Sequence, residues 1–293
     1  MSPVDGRGVI ALLRLPSVLT VPGDSLVGAA WSSEPVALRQ AAPLAAASSL
    51  LYLAGMALND YADRQVDARE RPHRPIPSGR IAPGFALGLA SGLSIGGMVI
   101  ACSAGGRRTA AVASTLTAVV WGYDLALKKT AAGPATMAAA RMLDVLVGAS
   151  VTSPHRALPP AAVIGAHTLT ITLVSRREVS GATRSLPRAA LSASTAVSAA
   201  AATLVMRIAE GALARISALA LLGVHAASMT RAELAAASQP TPSNLGHVVK
   251  TGVMALMPLQ ASLLAARGRL GPSVMLAAAW PAARALARRI AVT

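Results

Sequence analysis

Long stretches without a charged residue constrain the fold of this chain more than any other feature of its sequence. Such stretches include residues 40–59, 81–106, 109–123, 157–175 and 189–206. Each is close to the roughly 20 apolar residues that a helix needs to cross the hydrocarbon core of a bilayer. The composition agrees, since 54% of the residues are hydrophobic and 13% are charged. The sequence therefore predicts an all-α polytopic membrane protein.

Turn signals, such as Gly-Gly and Pro-Pro pairs, separate the apolar segments. They divide the chain into about nine predicted transmembrane helices, with a tenth at the C-terminus if the last apolar piece spans. The nine lie near residues 10–30, 41–59, 82–104, 108–127, 134–152, 158–175, 187–206, 211–229 and 245–266, and the last piece is 270–287. Two prolines in that piece leave a helix lying at the interface as the alternative. We expect a single membrane domain over residues 1–293.

The positions of lysine and arginine predict the orientation, because cytoplasmic loops carry an excess of both. With the N-terminus inside, the connections after the second, fourth, sixth and eighth spans face the cytoplasm. These connections carry more basic residues than the opposite side, including all the arginines between positions 64 and 80. We therefore expect a multi-pass protein of a bacterial cell membrane whose active site faces the cytoplasm.

The net charge of +15 does not indicate a nucleic-acid-binding protein. The basic residues are spread through short connections and do not form the stripe or patch that a nucleic-acid footprint requires. Only 2% of the residues are aromatic, so few rings are available to stack on bases. Membrane lipid is the expected environment, and nucleic acid is not an expected partner.

Scarce carboxylates gather at the predicted cytoplasmic end of the second span. The chain has 12 acidic residues, and Asp60, Asp63, Asp67 and Glu70 fall close together. The three aspartates are spaced i, i+3, i+7, which predicts one helical face on which they repel one another. A divalent cation offsets that repulsion, and Mg²⁺ takes one or two carboxylates together with phosphate oxygens and water. Asn59 adds an amide oxygen beside them.

Arginines follow the carboxylates directly and can hold phosphate oxygens bidentately. The candidates for this role are Arg64, Arg71, Arg74 and Arg80. Carboxylates for Mg²⁺, bases for phosphate and an adjacent apolar tunnel together describe a site for a lipid diphosphate. On spacing alone a plainer interpretation stays open, in which a solvated loop pairs its acids with neighbouring arginines.

Two contiguous motifs resemble the UbiA superfamily of intramembrane prenyltransferases. "NDYADRQVD" at residues 59–67 is similar to its N-D-x-x-D-x-x-x-D motif, and "RPHRPIPSGRI" at 71–81 to the continuation. The resemblance implies a UbiA-like helical barrel that transfers an isoprenyl group from a prenyl diphosphate to a small-molecule acceptor, with Mg²⁺ as cofactor and release of diphosphate. It gives catalytic and metal-binding roles to the three aspartates and a metal-binding role to Asn59.

A partial match after the fourth span extends the resemblance. "YDLALKKT" at residues 123–130 carries the basic pair that contacts diphosphate in that superfamily, which implies this role for Lys128 and Lys129. The alternative for the pair is an ordinary marker of the cytoplasmic side. Asp124 in the same segment is either an interfacial capping group or a ligand on the diphosphate side.

The loop after the sixth span departs from the family pattern. The superfamily usually carries a second Asp-rich motif there, whereas this chain reads "LVSRREVSGATRSLP" with Glu178 as its only acid. Arg176, Arg177 and Arg184 could replace a second metal in neutralising diphosphate. Alternatively, Glu178 could act on the acceptor as a hydrogen-bond acceptor or general base. A third interpretation is a catalytically silent protein that binds a prenyl lipid. The "SRREV" form resembles an EboC-like branch of the superfamily.

A transporter-like membrane protein is the competing class. Matched, broken helices in two halves of the chain would indicate one. The segments 41–82 and 158–187 correspond loosely, but only the first carries the metal-ligand set. This asymmetry disfavours a symmetric carrier.

Charged residues inside membrane helices are costly and therefore tend to be paired or functional. Arg141 and Asp144 are three residues apart, so they either pair with each other or line the cavity, where the superfamily places acceptor contacts. Asp24 follows Pro22-Gly23, and a helix broken there predicts cavity lining. His167 and His225 are more typical of hydrogen bonds between helices than of catalytic bases.

Overall fold

The fold is built from helices alone in the part of the chain that the computed structural model describes, residues 6–13, 18–34 and 36–290. The helices are α1 Gly6–Leu13, α2 Pro22–Trp31, α3 Leu38–Glu70, α4 Pro83–Gly122, α5 Gly133–Ala149, α6 Leu158–Ser175, α7 Ser185–Ile208, α8 Ala212–Ser238, α9 Pro242–Ala266 and α10 Leu270–Ile290. A π-helical turn, Tyr123–Leu127, follows α4, and a 3₁₀ turn, Pro154–Ala157, precedes α6. The all-α prediction is confirmed.

Six stretches among the described residues are long and apolar enough to cross a membrane. They are Arg39–Glu70, Pro83–Leu127, Pro154–Ser175, Ser185–Ile208, Ala212–Ser238 and Pro242–Ala266. The protein is therefore a multi-pass integral membrane protein. Helices α2 and α5 are shorter, with 10 and 17 residues, and the count of nine spans stays a prediction. Helix α10 covers the C-terminal piece, and whether it spans also stays a prediction.

Two predicted spans share the 40-residue helix α4. At about 1.5 Å per residue a straight helix of that length would reach about 60 Å, twice the hydrocarbon core of a bilayer. The helix breaks at Gly106, where φ is 73° and ψ is −163°, a conformation that glycine adopts without steric cost. The Gly105-Gly106 turn signal therefore lies where the structure bends.

Helix α3 carries the acidic motif beyond the apolar segment. The predicted span ended at residue 59, but the helix continues to Glu70 and is 33 residues long. The motif is thus helical, as its spacing predicted, whereas the expected loop position of Arg64 and Arg69 is wrong. A helix of about 50 Å exceeds the bilayer core, so its last turns project towards the membrane surface.

Helix α9 lies at the centre of the bundle. Of its most apolar stretch, 78% is buried, compared with 28% in α7 and α8. Two buried histidines join it to its neighbours: His167 Nε2 on α6 lies 2.9 Å from the carbonyl of Gly252, and His225 Nδ1 on α8 lies 2.9 Å from that of Ala255. A carbonyl only accepts, so each ring nitrogen donates. The predicted hydrogen bonds between helices are confirmed.

Helices α2 and α5 approach each other through glycine. A methyl group at Gly28 would overlap the backbone oxygen of Val145, and one at Gly148 would overlap that of Ser25. Small residues permit such close approach in membrane proteins. The contact brings the short helix α2 against the polar part of α5, where it supplies a residue that supports the site.

Candidate active site

A cavity of about 370 Å³ lies between α3, the end of α4, α5, α6 and α9. Its walls are mostly apolar, with residues such as Met56 and Val253, and polar groups lie along it. The charged or amide side chains that line it are Asn59, Asp124, Arg141 and Asp144. Tyr52 and Tyr123 are the aromatic residues that line it among those described.

Asn59 and Asp124 meet where the cavity approaches the acidic end of α3. The Asn59 amide nitrogen donates to Asp124 Oδ1 over 2.8 Å, which leaves the amide oxygen available to a cation. The π-helical turn positions Asp124, which is only 5% exposed. Such turns in helical segments frequently mark functional sites. This position agrees with the second of the two predicted roles of Asp124, a ligand on the diphosphate side, and that role stays a prediction.

A second cavity, of about 250 Å³, shares Asp124 with the first. Its other polar residues are Tyr61, Asp63, Arg64, Lys128 and Lys129. Lys128 Nζ lies 2.8 Å from Asp63 Oδ2 and 3.9 Å from Asp124 Oδ1. One ammonium group therefore holds together a carboxylate from α3 and one from the π-helical turn, at the junction of the two cavities.

The other two aspartates of the motif face Arg74. Its guanidinium NH1 lies 2.7 Å from Asp67 Oδ2 and 3.4 Å from Asp60 Oδ1, and both carboxylates are nearly inaccessible. Arg71 is more exposed and lies 3.9 Å from Asp67. The turn after α3 folds back beside the helix and places these arginines on the acids. Their predicted contacts with diphosphate stay predictions.

The expectation that the three aspartates converge on one metal differs from what the structure shows. Among the described residues, no group of three histidine, cysteine or acidic side chains could hold a metal ion. Asp63, Asp124 and Asn59 nevertheless supply two carboxylates and an amide oxygen next to a polar cavity. Mg²⁺ needs no more than one or two carboxylates when phosphate and water complete its shell. The residues present therefore fit this metal.

The basic residues near the second cavity differ in how firmly they are held. Arg64 stacks 4.3 Å above the Tyr61 ring and donates to the Tyr61 carbonyl over 2.7 Å. Lys129 is exposed and lines the cavity. Both lie where the predicted role in diphosphate binding requires positive charge, and that role stays a prediction.

The loop after α6 is held close to the loop after the π-helical turn. Arg176 NH1 donates to the carbonyl of Thr130 over 2.5 Å. Arg177 is exposed and Glu178 is half-buried, and neither is among the residues that line the two cavities. The predicted second set of charged groups is thus adjacent to the site, while its roles are untested.

At the polar end of the larger cavity, the observed ion pair is not the one predicted from the sequence. Arg141 does not form an ion pair with Asp144; its NH1 lies 2.5 Å from Asp24 Oδ2, because the close contact of α2 with α5 brings Asp24 alongside. Asp144 instead accepts a hydrogen bond from Ser48. Asp24 is fully buried behind Arg141, so its predicted place in the cavity lining is wrong.

Gln260 completes this arrangement and was not found from the sequence. Its Nε2 donates to Asp24 Oδ1 over 2.6 Å and to the carbonyl of Thr20 over 2.8 Å. The two residues that share Asp24, Gln260 and Arg141, lie on different helices far apart in the chain. The one local signal for Gln260 is its position in an apolar helix, since a polar side chain buried in a membrane helix usually has a hydrogen-bond partner.

The family model described as the UbiA prenyltransferase family matches residues 25–239. The chain belongs to this family. Digeranylgeranylglyceryl phosphate synthase from Methanospirillum hungatei is 43% identical over 77 residues, 26% of this chain and 28% of that protein. The synthase of the same name from Ignicoccus hospitalis is 34% identical over 125 residues, which are 42% of this chain and 40% of that protein. The matches thus span less than half the length of these curated relatives.

Solved structures of UbiA proteins share the fold. One reported for digeranylgeranylglyceryl phosphate synthase has a TM-score of 0.63 at 14% identity, over 89% of this chain and 98% of that chain. The apo structure of a UbiA homologue from Aeropyrum pernix has a TM-score of 0.60 at 21% identity, over 89% of this chain and 97% of that chain. The predicted UbiA-like helical architecture is confirmed.

Proposed function

We propose that this protein is an Mg²⁺-dependent intramembrane prenyltransferase that moves an isoprenyl group from a prenyl diphosphate to a small-molecule acceptor. One observation carries the proposal: Asp124 and Asn59 join a polar cavity with lysines and carboxylates to an apolar cavity of about 370 Å³. A molecule with a diphosphate head and an isoprenoid tail needs both environments side by side.

The polar residues divide the work of binding the head group. Asn59, Asp63 and Asp124 would hold Mg²⁺, which when bound neutralises the charge of the diphosphate. Lys128 and Lys129 add positive charge where the leaving group develops negative charge. The carbon–oxygen bond of the substrate breaks, its electron pair leaves with diphosphate, and the acceptor forms the new bond and gives up a proton.

The apolar residues protect the reacting carbon. Met56, Ile171 and Val253 surround the larger cavity and exclude water from the allylic centre, which prevents hydrolysis. The tail of the donor would lie against the same walls. Glu178 remains the predicted group that acts on the acceptor.

We further propose a geranylgeranyl donor and a glyceryl phosphate acceptor, as the name of the archaeal relatives suggests. The loop after α6 supports this choice, because Arg176 and Arg177 stand where an Asp-rich motif is usual and can face a second anion. An aromatic acceptor would find only Tyr52 and Tyr123 among the described lining residues. We place the site on the cytoplasmic side of a single domain over residues 1–293; the bacterial membrane expected from the sequence stays a prediction.

The test uses purified protein in nanodiscs with geranylgeranyl diphosphate and geranylgeranylglyceryl phosphate. We expect release of diphosphate and formation of the ether product with Mg²⁺ and neither with EDTA. Asp63→Asn should abolish both, whereas Glu70→Gln, an exposed acid at the end of the same helix, should retain them. If no prenyl diphosphate binds in an Mg²⁺-dependent and Asp63-dependent way, the proposal fails.

A catalytically silent prenyl-lipid binder is the second candidate, favoured by the single acid in the loop after α6. It predicts that wild-type protein binds geranylgeranyl diphosphate with Mg²⁺ but forms no product with any acceptor. Product formation with the glyceryl phosphate acceptor decides against it.

A further inference from the structure

Two cations neutralise the acidic end of α3 in different ways. Arg74 donates hydrogen bonds to Asp67 and Asp60 over 2.7 and 3.4 Å. Lys128 Nζ is buried and lies 2.8 Å from Asp63, but within the described part of the chain no acceptor gives it a hydrogen bond of good geometry. The guanidinium is bonded in place, whereas the ammonium is held by charge alone.

An ammonium group has three N–H donors, and among the described residues none of the three meets a protein acceptor in good geometry. The position of Lys128 is therefore a compromise. It neutralises Asp63 and lies 3.9 Å from Asp124, but it gains no directed bond from either. A group held in this way is released more readily than one fixed by hydrogen bonds.

The same two carboxylates are the anionic oxygen donors that fit Mg²⁺ at this site. An ammonium and a divalent cation that neutralise the same pair of carboxylates at close range repel each other strongly. Both cannot occupy that place, so binding of the metal requires Lys128 to leave. The second cavity, lined by Lys129 and Arg64, offers space beside them in which a diphosphate could accept the displaced ammonium.

We propose that Lys128 is a positioning residue that acts as a placeholder cation. In the metal-free protein its ammonium group neutralises Asp63 and Asp124. When the metal binds these carboxylates, the ammonium group moves to the diphosphate and pairs with it. The proposal rests on the proposed function only in its use of a divalent cation and an anionic ligand at this site.

Removing the ammonium group should therefore strengthen binding of the metal and weaken binding of the diphosphate. Lys128→Met should bind a divalent cation more tightly than wild type, by at least about tenfold, because its competitor is gone. The same variant should bind the diphosphate group more weakly, by at least about tenfold, because a charged contact is lost. A residue that only supports the structure would weaken both when it is removed.

The experiment measures the two affinities separately on full-length protein in nanodiscs. Binding of Mn²⁺, a stand-in for Mg²⁺, is followed by loss of the aqueous Mn²⁺ electron paramagnetic resonance signal. Binding of geranylgeranyl thiodiphosphate, which resists cleavage, is measured calorimetrically at saturating Mg²⁺, so that the metal occupies the carboxylates in every variant. Lys128→Arg keeps the charge, and Lys129→Met is the matched control, because it removes the same charge from the same cavity without freeing Asp63.

We expect Lys128→Met to show tighter Mn²⁺ binding and weaker anion binding, and Lys129→Met to change Mn²⁺ affinity less than about threefold. The placeholder role is overturned if Lys128→Met binds Mn²⁺ no more tightly than wild type does. The proposed function then stays intact, provided that Mn²⁺ binding to the wild-type protein depends on Asp63. Equal tightening in Lys129→Met overturns the placeholder role too, since a general charge effect then suffices. Absence of Mn²⁺ and anion binding in every folded variant overturns both.

Discussion

Arg141 on α5 and Asp24 on α2 form a 2.5 Å ion pair behind the wall of the larger cavity, and Asp24 has no exposed surface. The pair connects the short helix α2 to the helix that lines the cavity. Gln260 on α9 bonds to the other oxygen of Asp24, so three helices meet at one carboxylate. The polar end of the cavity is therefore supported from behind by charge as well as by packing.

Removal of the arginine should destabilise the protein strongly. Arg141→Met leaves Asp24 buried without its cation, and breaking a buried pair in this way typically costs about 3–5 kcal/mol. The free energy of unfolding in an SDS titration measures the effect. The double variant Asp24→Asn/Arg141→Met should recover more than half of the loss, because position 24 then no longer carries a buried charge; no recovery would show that Arg141 acts through packing.

Arg74→Ala should destabilise the end of α3 far more than loss of an exposed arginine does. It removes a guanidinium that lies 2.7 Å from Asp67 and 3.4 Å from Asp60, two nearly inaccessible carboxylates, at an expected cost of about 2–4 kcal/mol. Arg69→Ala is the control, since Arg69 is exposed in the last turn of the same helix. Hydrogen exchange of residues 60–80 gives the local readout. Equal exchange in the two variants would contradict the prediction.

Gly148→Ala should separate α2 from α5. The added methyl group would overlap the backbone oxygen of Ser25, and no side-chain rotation relieves a clash with backbone. We expect a loss of about 3 kcal/mol in the free energy of unfolding. Gly88→Ala in α4 meets no atom within 4 Å and should be neutral or stabilising. Similar losses in both variants would argue against the close contact.

Val253→Trp should shorten the prenyl chain that the protein accepts. Val253 lines the apolar cavity, and a bulkier side chain there occupies space expected to hold the distal part of the tail. We expect at least about tenfold weaker binding of geranylgeranyl diphosphate and a smaller effect on geranyl diphosphate. Val224→Trp, on the exposed face of α8, should change neither. If binding of both donors is weakened equally, the distal part of the tail does not lie beside Val253.

The sequence predicted those features that are encoded locally. Uncharged stretches locate the helices, because a membrane span needs a minimum apolar length. The break in α4 follows from Gly105-Gly106, where the backbone needs a conformation that other residues avoid. The spacing of residues 59–67 predicted a helix, and the helix is present.

Partners of the same residues could not be predicted, because they come from distant parts of the chain. Helical spacing places Asp60, Asp63 and Asp67 near one face, but it does not say which cation approaches each one. The turn after α3 brings Arg74 to two of them, and a helix 65 residues away in sequence brings Asp124 to Asn59. Arg141 and Asp144 satisfied a local pairing rule, yet packing of α2 supplied a nearer acid.

The hydrogen bonds from the two buried histidines make one wall of the larger cavity stationary. The carbonyls that accept them, from Gly252 and Ala255, flank Val253 on α9. Rotation of α9 about its axis would break both bonds inside the bundle, where no water replaces them. A substrate that needs a wider cavity must therefore displace residues of the other helices that line it, such as Met56 on α3.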